Sequence, residues 1–157
     1  VTVRAVVAVA LAAALLGASL PAVERARVQH ADARVAGEVE RLETVARSLT
    51  TSNDVVRGDG PPARARMTLH LPRRSWGSRT LSAFRVPPPA SNSDVTWQVR
   101  GSDRIDRDLP DVDLAAPPDG ITLREGGRHD LVLELRRHDG DRIVAIRRPA
   151  TGGSGEA

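Results

Sequence analysis

Four histidines, His30, His70, His129 and His138, and the aspartates Asp103, Asp106, Asp108, Asp111 and Asp113 are the side chains best suited to chemistry. A zinc site on one helical face needs two histidines a turn apart, and these four stand in separate contexts with no such pair. His129-Asp130 and His138-Asp139 are neighbours in sequence, but neighbours on a strand point to opposite faces, and in a turn both meet water. The aspartate run could attract a hard cation. It lacks the glycine and closing glutamate of a calcium loop, however, and Arg104, Arg107 and Pro110 interrupt it. Ser75 and Ser78, in the string RSWGS, do not fit the strand-turn-helix elbow of a serine nucleophile. Gly126-Gly127 lacks the following Gly-Lys of a phosphate loop. With no cysteine in the chain, thiolate metal sites, cysteine nucleophiles and disulfides are excluded. The expectation is a protein that is not an enzyme, with no catalytic residue, no cofactor and no metal.

Charge points the same way. All 23 basic residues are arginine, set against 20 acids that are more often Asp than Glu, which is the bias of a GC-rich genome. Arg73-Arg74, Arg136-Arg137 and Arg147-Arg148, with Trp76 and Trp97, could supply phosphate contacts and stacking. Aspartates interleave with most of these arginines and the net charge is only +3, so nucleic acid is not an expected partner.

What must position any surface of this chain is therefore its elements, and the first is an apolar block. From Ala5 to Leu20 the chain reads AVVAVALAAALLGASL without one charge, preceded by Arg4 and followed by Pro21 and the polar Glu24, Arg25 and Arg27. As a helix these residues reach roughly 24 Å, and their flanks bring them near the ~30 Å hydrocarbon core of a bilayer. Residues 1–23 are read as a transmembrane anchor, with membrane lipid as the first partner. The competing reading is a signal peptide cleaved near Ala18 or Ala22, since a basic start, an apolar centre and the small residues Gly17, Ala18, Ser19 and Ala22 also describe one. The anchor is preferred because the helical pattern resumes one turn beyond Pro21. A single-pass protein of the cell membrane with its domain outside is expected, as a short N-terminal leader of this form acts as an export signal, although the arginine count favours the inside.

Over residues 24–52, Val28, Ala31, Val35, Val39, Leu42, Ala46 and Leu49 recur at steps of three and four, which predicts an amphipathic stalk helix. Val28, Val35, Val39, Leu42 and Leu49 form its packing stripe. The other side carries Arg34, Glu38, Glu40, Arg41 and the Glu43–Arg47 pair and is expected to face solvent, the pair adding ~0.3 kcal/mol. Pro21 is expected to kink the joint, and the Thr50–Asp54 run to end the helix.

After the loop RGDGPPAR the period changes from helical to alternating. Met67, Leu69 and Leu71, then Leu81 to Val86, then Val95, Trp97 and Val99 read as strands with a buried face. Leu131, Leu133 and Leu135, followed by Asp139-Gly140 and Ile143 to Ile146, read as a hairpin with a positive-φ turn. Ile121 and Leu123 are expected to add a strand beside that hairpin. The fold class is α+β: a long N-terminal helix (membrane anchor plus stalk), then a small antiparallel β domain over residues 65–148 and a disordered tail over 149–157.

This order of elements resembles type IV pilins and pseudopilins. The strings LPAVERARVQHADARVAGEVERLETVARSL, LHLPRRSW, DVTWQVRG and GGRHDLVLELRRHDGDRIVAI look like a haloarchaeal family of single-span membrane proteins of unknown function. The resemblance implies a structural or accessory role in the cell envelope, linked to type IV pilus or secretion machinery through the stalk helix. It carries over no catalytic residue. A secreted, soluble ligand-binding module released by signal cleavage is the alternative.

Overall fold

The computed structural model describes residues 3–52, 62–75, 78–88, 94–138 and 140–149. Helix α1 (Val3–Ser52) is unbroken for 50 residues, about 75 Å at 1.5 Å per residue. Alanine, leucine, arginine and glutamate, all good helix formers, fill most of it. Pro21 lies inside the helix rather than ending it. Proline removes one backbone donor, a local loss that the surrounding helical turns sustain here. Towards the C-terminus the Thr50 and Thr51 hydroxyls both donate to the Arg47 carbonyl, at 2.8 and 2.9 Å. Such back-bonding competes with the helical ladder over the last described turn of α1.

The remainder is β structure in two four-stranded sheets. Strands β1 (Arg64–Leu71), β7 (Gly127–His138), β8 (Asp141–Arg147) and β5 (Leu114–Ala115) form one, in the order β1-β7-β8-β5. Strands β4 (Ile105–Arg107), β3 (Val95–Val99), β2 (Leu81–Val86) and β6 (Ile121–Leu123) form the other, in the order β4-β3-β2-β6. All pairings are antiparallel except β5 with β8, where Leu114 aligns with Val144. The alternation read from the sequence sets the buried faces: Met67, Leu69 and Leu71 on β1, Leu131, Leu133 and Leu135 on β7, Val144 and Ile146 on β8. These meet Phe84, Val86, Val95, Trp97 and Leu123 of the second sheet and the helix stripe in one continuous core.

One expectation is corrected. Ile121 and Leu123 do form a strand, but β6 pairs with β2 (Phe84 with Leu123) in the second sheet, away from the hairpin. Periodicity identifies a strand and its inward face, while its neighbour depends on connections the pattern does not encode. The aspartate-rich segment contributes to both sheets. It carries β4, and Leu109 and Val112 are buried pegs that lead into β5.

The β7–β8 hairpin has the tight turn expected, with His138 opposite Asp141 and Gly140 at φ +97°. Gly126 is needed for a different reason. A Cβ there would lie 2.1 Å from the Pro72 carbonyl oxygen, so only glycine lets the approach to β7 press against the segment after β1. The loop expected over residues 57–64 and the one over 90–93 lie wholly or largely outside the described residues, as do Trp76 and nearly all of the expected tail.

Candidate functional site

Helix α1 divides into two stretches with opposite surroundings. Its N-terminal stretch touches nothing: Val3, Val9, Leu11, Leu15, Leu16 and Leu20 are each more than half exposed, and no part of the most apolar 18-residue window, of mean hydropathy 2.3, is buried. Apolar side chains surround the whole circumference, so no face is set aside for a protein core. This is one helix long and apolar enough to cross a membrane, the property shared by anchors and signal sequences.

Beyond Val23 the helix lies on the β domain. Val35, Val39 and Leu42 are completely buried and Leu49 nearly so, with the equally buried Ala31 and Ala46 completing the stripe. Val28, the first member expected, is only partly buried and lies near Gly101 at the turn after β3. Contacts run mainly to β1 and β3, with β7 and β8 behind. Each fully buried valine or leucine contributes about 1.5–3 kcal/mol by leaving water.

Ionic contacts flank the stripe along its length. Glu24 accepts from Arg27 at 3.0 Å and from Arg79. Glu38 lies 3.8 Å from His70 of β1, Glu43 lies 3.6 Å from Arg107 of β4, and Arg47 donates to Asp111 at 3.0 Å. At the far end Arg142 of β8 donates to the Thr50 carbonyl at 3.4 Å. Glu38 and Glu43, expected on the solvent side, thus turn towards the sheets, with side chains only 14% exposed. Exposed pairs of this kind contribute about 0–1 kcal/mol each, so they fix the register of helix on sheet more than they hold it there.

Two carboxylates are withdrawn from water, Glu134 almost wholly and Asp32 in part. Glu134 of β7 is 3% exposed and sits among Arg136 (3.1 Å), Arg64 (3.3 Å) and Arg147 (3.5 Å) on the outer face of the first sheet. Burial pushes its pKa up, but the Arg136 hydrogen bond and the charges of the three arginines outweigh that and hold it below the ordinary value. Asp32 of the helix behaves in the opposite sense. Burial raises its pKa, and the Trp97 indole N–H nearby pulls down only in part. Neither Trp97 Nε1 nor Asp32 Oδ1 completes a hydrogen bond, so this polar contact in the helix–sheet interface is unsatisfied.

The residues first considered for chemistry stay apart. His30 is on the exposed side of α1, His70 faces Glu38, His129 contacts the Glu125 carbonyl at 2.8 Å, and His138 opens the hairpin turn. Asp106 pairs with Arg104 and Asp111 with Arg47, so the aspartate run is divided between two sides of the molecule. Among the described residues no three His, Asp or Glu side chains converge as a metal would require. Ser75 and Ser78 form an isolated antiparallel bridge with each other. A cleft of about 530 Å³ opens on the outer face of the second sheet, where Val86, Pro87 and Pro88 lie beside the charged Arg85, Arg104, Asp94, Asp106 and Asp119.

The family described as a domain of unknown function (DUF7311) matches residues 2–149, and the chain belongs to it. No curated protein and no solved structure matches the chain.

Proposed function

We propose that this member of the DUF7311 family is a single-pass, membrane-anchored protein that works without catalysis, as a structural or accessory part of the cell envelope. The observation that carries the reading is the contrast within one helix. A fully exposed apolar stretch continues, without a break in the backbone, into a stripe sealed against two β-sheets. Water is a poor solvent for the first stretch and no protein surface covers it, so lipid is the solvent that fits. The β domain then stands directly on the membrane and meets partners by its surfaces. In the finer reading the domain is extracellular and belongs to a haloarchaeal envelope beside type IV pilus or secretion machinery. That placing is supported by the order of elements and by the sequence strings alone.

The test is flotation of the full chain with phosphatidylcholine vesicles after alkaline carbonate washing. Retention with the vesicles is the expected result, and recovery of the uncleaved chain in the aqueous fraction would overturn the proposal. Protease added outside intact cells should cut the domain if it is extracellular; complete protection would reverse the orientation.

One observation keeps a second reading, the secreted module, in view. Helix residues before Glu24 are exposed and Glu24 itself is held by Arg79, so cleavage near Ala18 or Ala22 would leave the buried stripe and its flanking ion pairs intact. The mass of the N-terminus in cells separates the two: a mature chain starting near residue 19 or 23 is the secreted form.

A further inference from the structure

The end of the β domain nearest the apolar stretch is crowded with arginine. Glu24, the residue after Val23, is held by Arg79, on the segment entering β2. The antiparallel bridge between Ser75 and Ser78 sets Arg74 beside Arg79. The Arg100 backbone N–H donates to the Thr80 carbonyl at 3.0 Å, which brings the turn after β3 to the same place, and a side chain at the next residue, Gly101, would touch Val28 of the helix. Arg25, Arg27, Arg74, Arg79 and Arg100 therefore share one end of the molecule, level with helix positions 24–28. The acids on these segments are Glu24, already shared by Arg27 and Arg79, and the exposed Asp103 beyond the turn. Arg25, Arg74 and Arg100 are exposed.

Their height matters. Helix positions 24–28 stand roughly 2–8 Å past Val23 along the axis, and the headgroup layer on each side of a bilayer is about 5–8 Å deep. Resting on the membrane-anchor reading, we infer that this arginine-rich end is a docking surface for the phosphates of anionic phospholipids. A planar guanidinium matches a phosphate with two parallel N–H donors, and the attraction needs no built pocket. The anchor supplies insertion; the arginines select which lipids surround it and press the domain onto the headgroups.

The absence of cysteine makes the test direct. Ser75→Cys, labelled with a fluorophore, reports from beside Arg74 in the full chain reconstituted in phosphatidylcholine vesicles. Quenching is then compared between headgroup-spin-labelled phosphatidylglycerol and phosphatidylcholine at equal mole fraction. Preferential quenching by phosphatidylglycerol is expected. It should fall by up to about fivefold for each of Arg25→Gln, Arg74→Gln and Arg100→Gln, and should decline as salt is raised. Equal quenching by the two lipids, or a preference that survives the triple variant with an unchanged circular dichroism spectrum, would overturn the inference while leaving the anchor in place. Failure of the chain to float with either vesicle would overturn both.

Discussion

Truncating Leu42 to alanine separates the two roles of the long helix. Leu42 has no exposed surface and belongs to the core that the stripe shares with both sheets. Removing most of its side chain forfeits burial and leaves a cavity, a loss of about 2–5 kcal/mol against a total stability of order 5–15 kcal/mol. For a domain of this size that lowers the melting temperature on the order of 10–20 °C. The matching control is Leu15→Ala, at a position 64% exposed on the apolar stretch. It removes the same atoms but none that the domain touches, so the melting curve should stay where it was. The assay is thermal unfolding of the full chain in detergent micelles, followed by tryptophan fluorescence, since Trp97 is buried in the same core. If Leu42→Ala melts with the parent chain, or if the two variants shift equally, the helix is not sealed onto the sheets and the reasoning fails.

Glu134→Gln should cost about 1–3 kcal/mol, because three arginines lose their common anion; their own half-exposure keeps the figure modest. With its folded pKa depressed, the Glu134 contribution is present at neutral pH and is lost as pH falls through the folded value, so the parent's acid unfolding should be steeper than the variant's in urea titrations across that range. Asp32 has the opposite sign: its raised pKa means the charged form costs stability above that value and the cost disappears on acidification. Asp32→Asn should match or exceed the parent's melting temperature at neutral pH and lose that advantage in acid; a variant less stable at neutral pH would contradict this. Gly126→Ala forces a Cβ to within 2.1 Å of the Pro72 carbonyl, and a drop in denaturation midpoint with native-like spectra is expected at best, with loss of folded yield as the stronger outcome.

Much of the architecture was legible because two periods dominate it. The three-and-four spacing of Val35, Val39, Leu42 and Leu49 names the buried side of α1 without further help, and the alternation of Leu131, Leu133 and Leu135 does the same for β7. Partner choice is another matter. Nothing in Ile121-Thr122-Leu123 distinguishes a seat beside β2 from one beside the hairpin, because both offer an apolar face of the same spacing. Short elements escape as well: Leu114–Ala115 is too brief to show any period, and its parallel seat on β8 rests on Leu109 and Val112 being buried upstream. Charge on Glu38 and Glu43 points to solvent, yet carboxylates beside the stripe reach sheet cations at its margin. The arginine-rich end could not be found from the chain at all, as Arg25, Arg74 and Arg100 are far apart in sequence and meet only when the turns after β1 and β3 close on the helix.

Because α1 passes from its bare stretch into its sealed one at Glu24 as one continuous helix, with Pro21 at the joint, the chain has the mechanics of a lever. The sealed arm, Glu24 to Ser52, is about 43 Å long, and a helix tilt of about 20° would carry its tip sideways by roughly 15 Å. Bilayer thickness, by setting that tilt, would thus steer where the outer strands point, and a neighbour gripping those strands would in turn feel the lipid as torque.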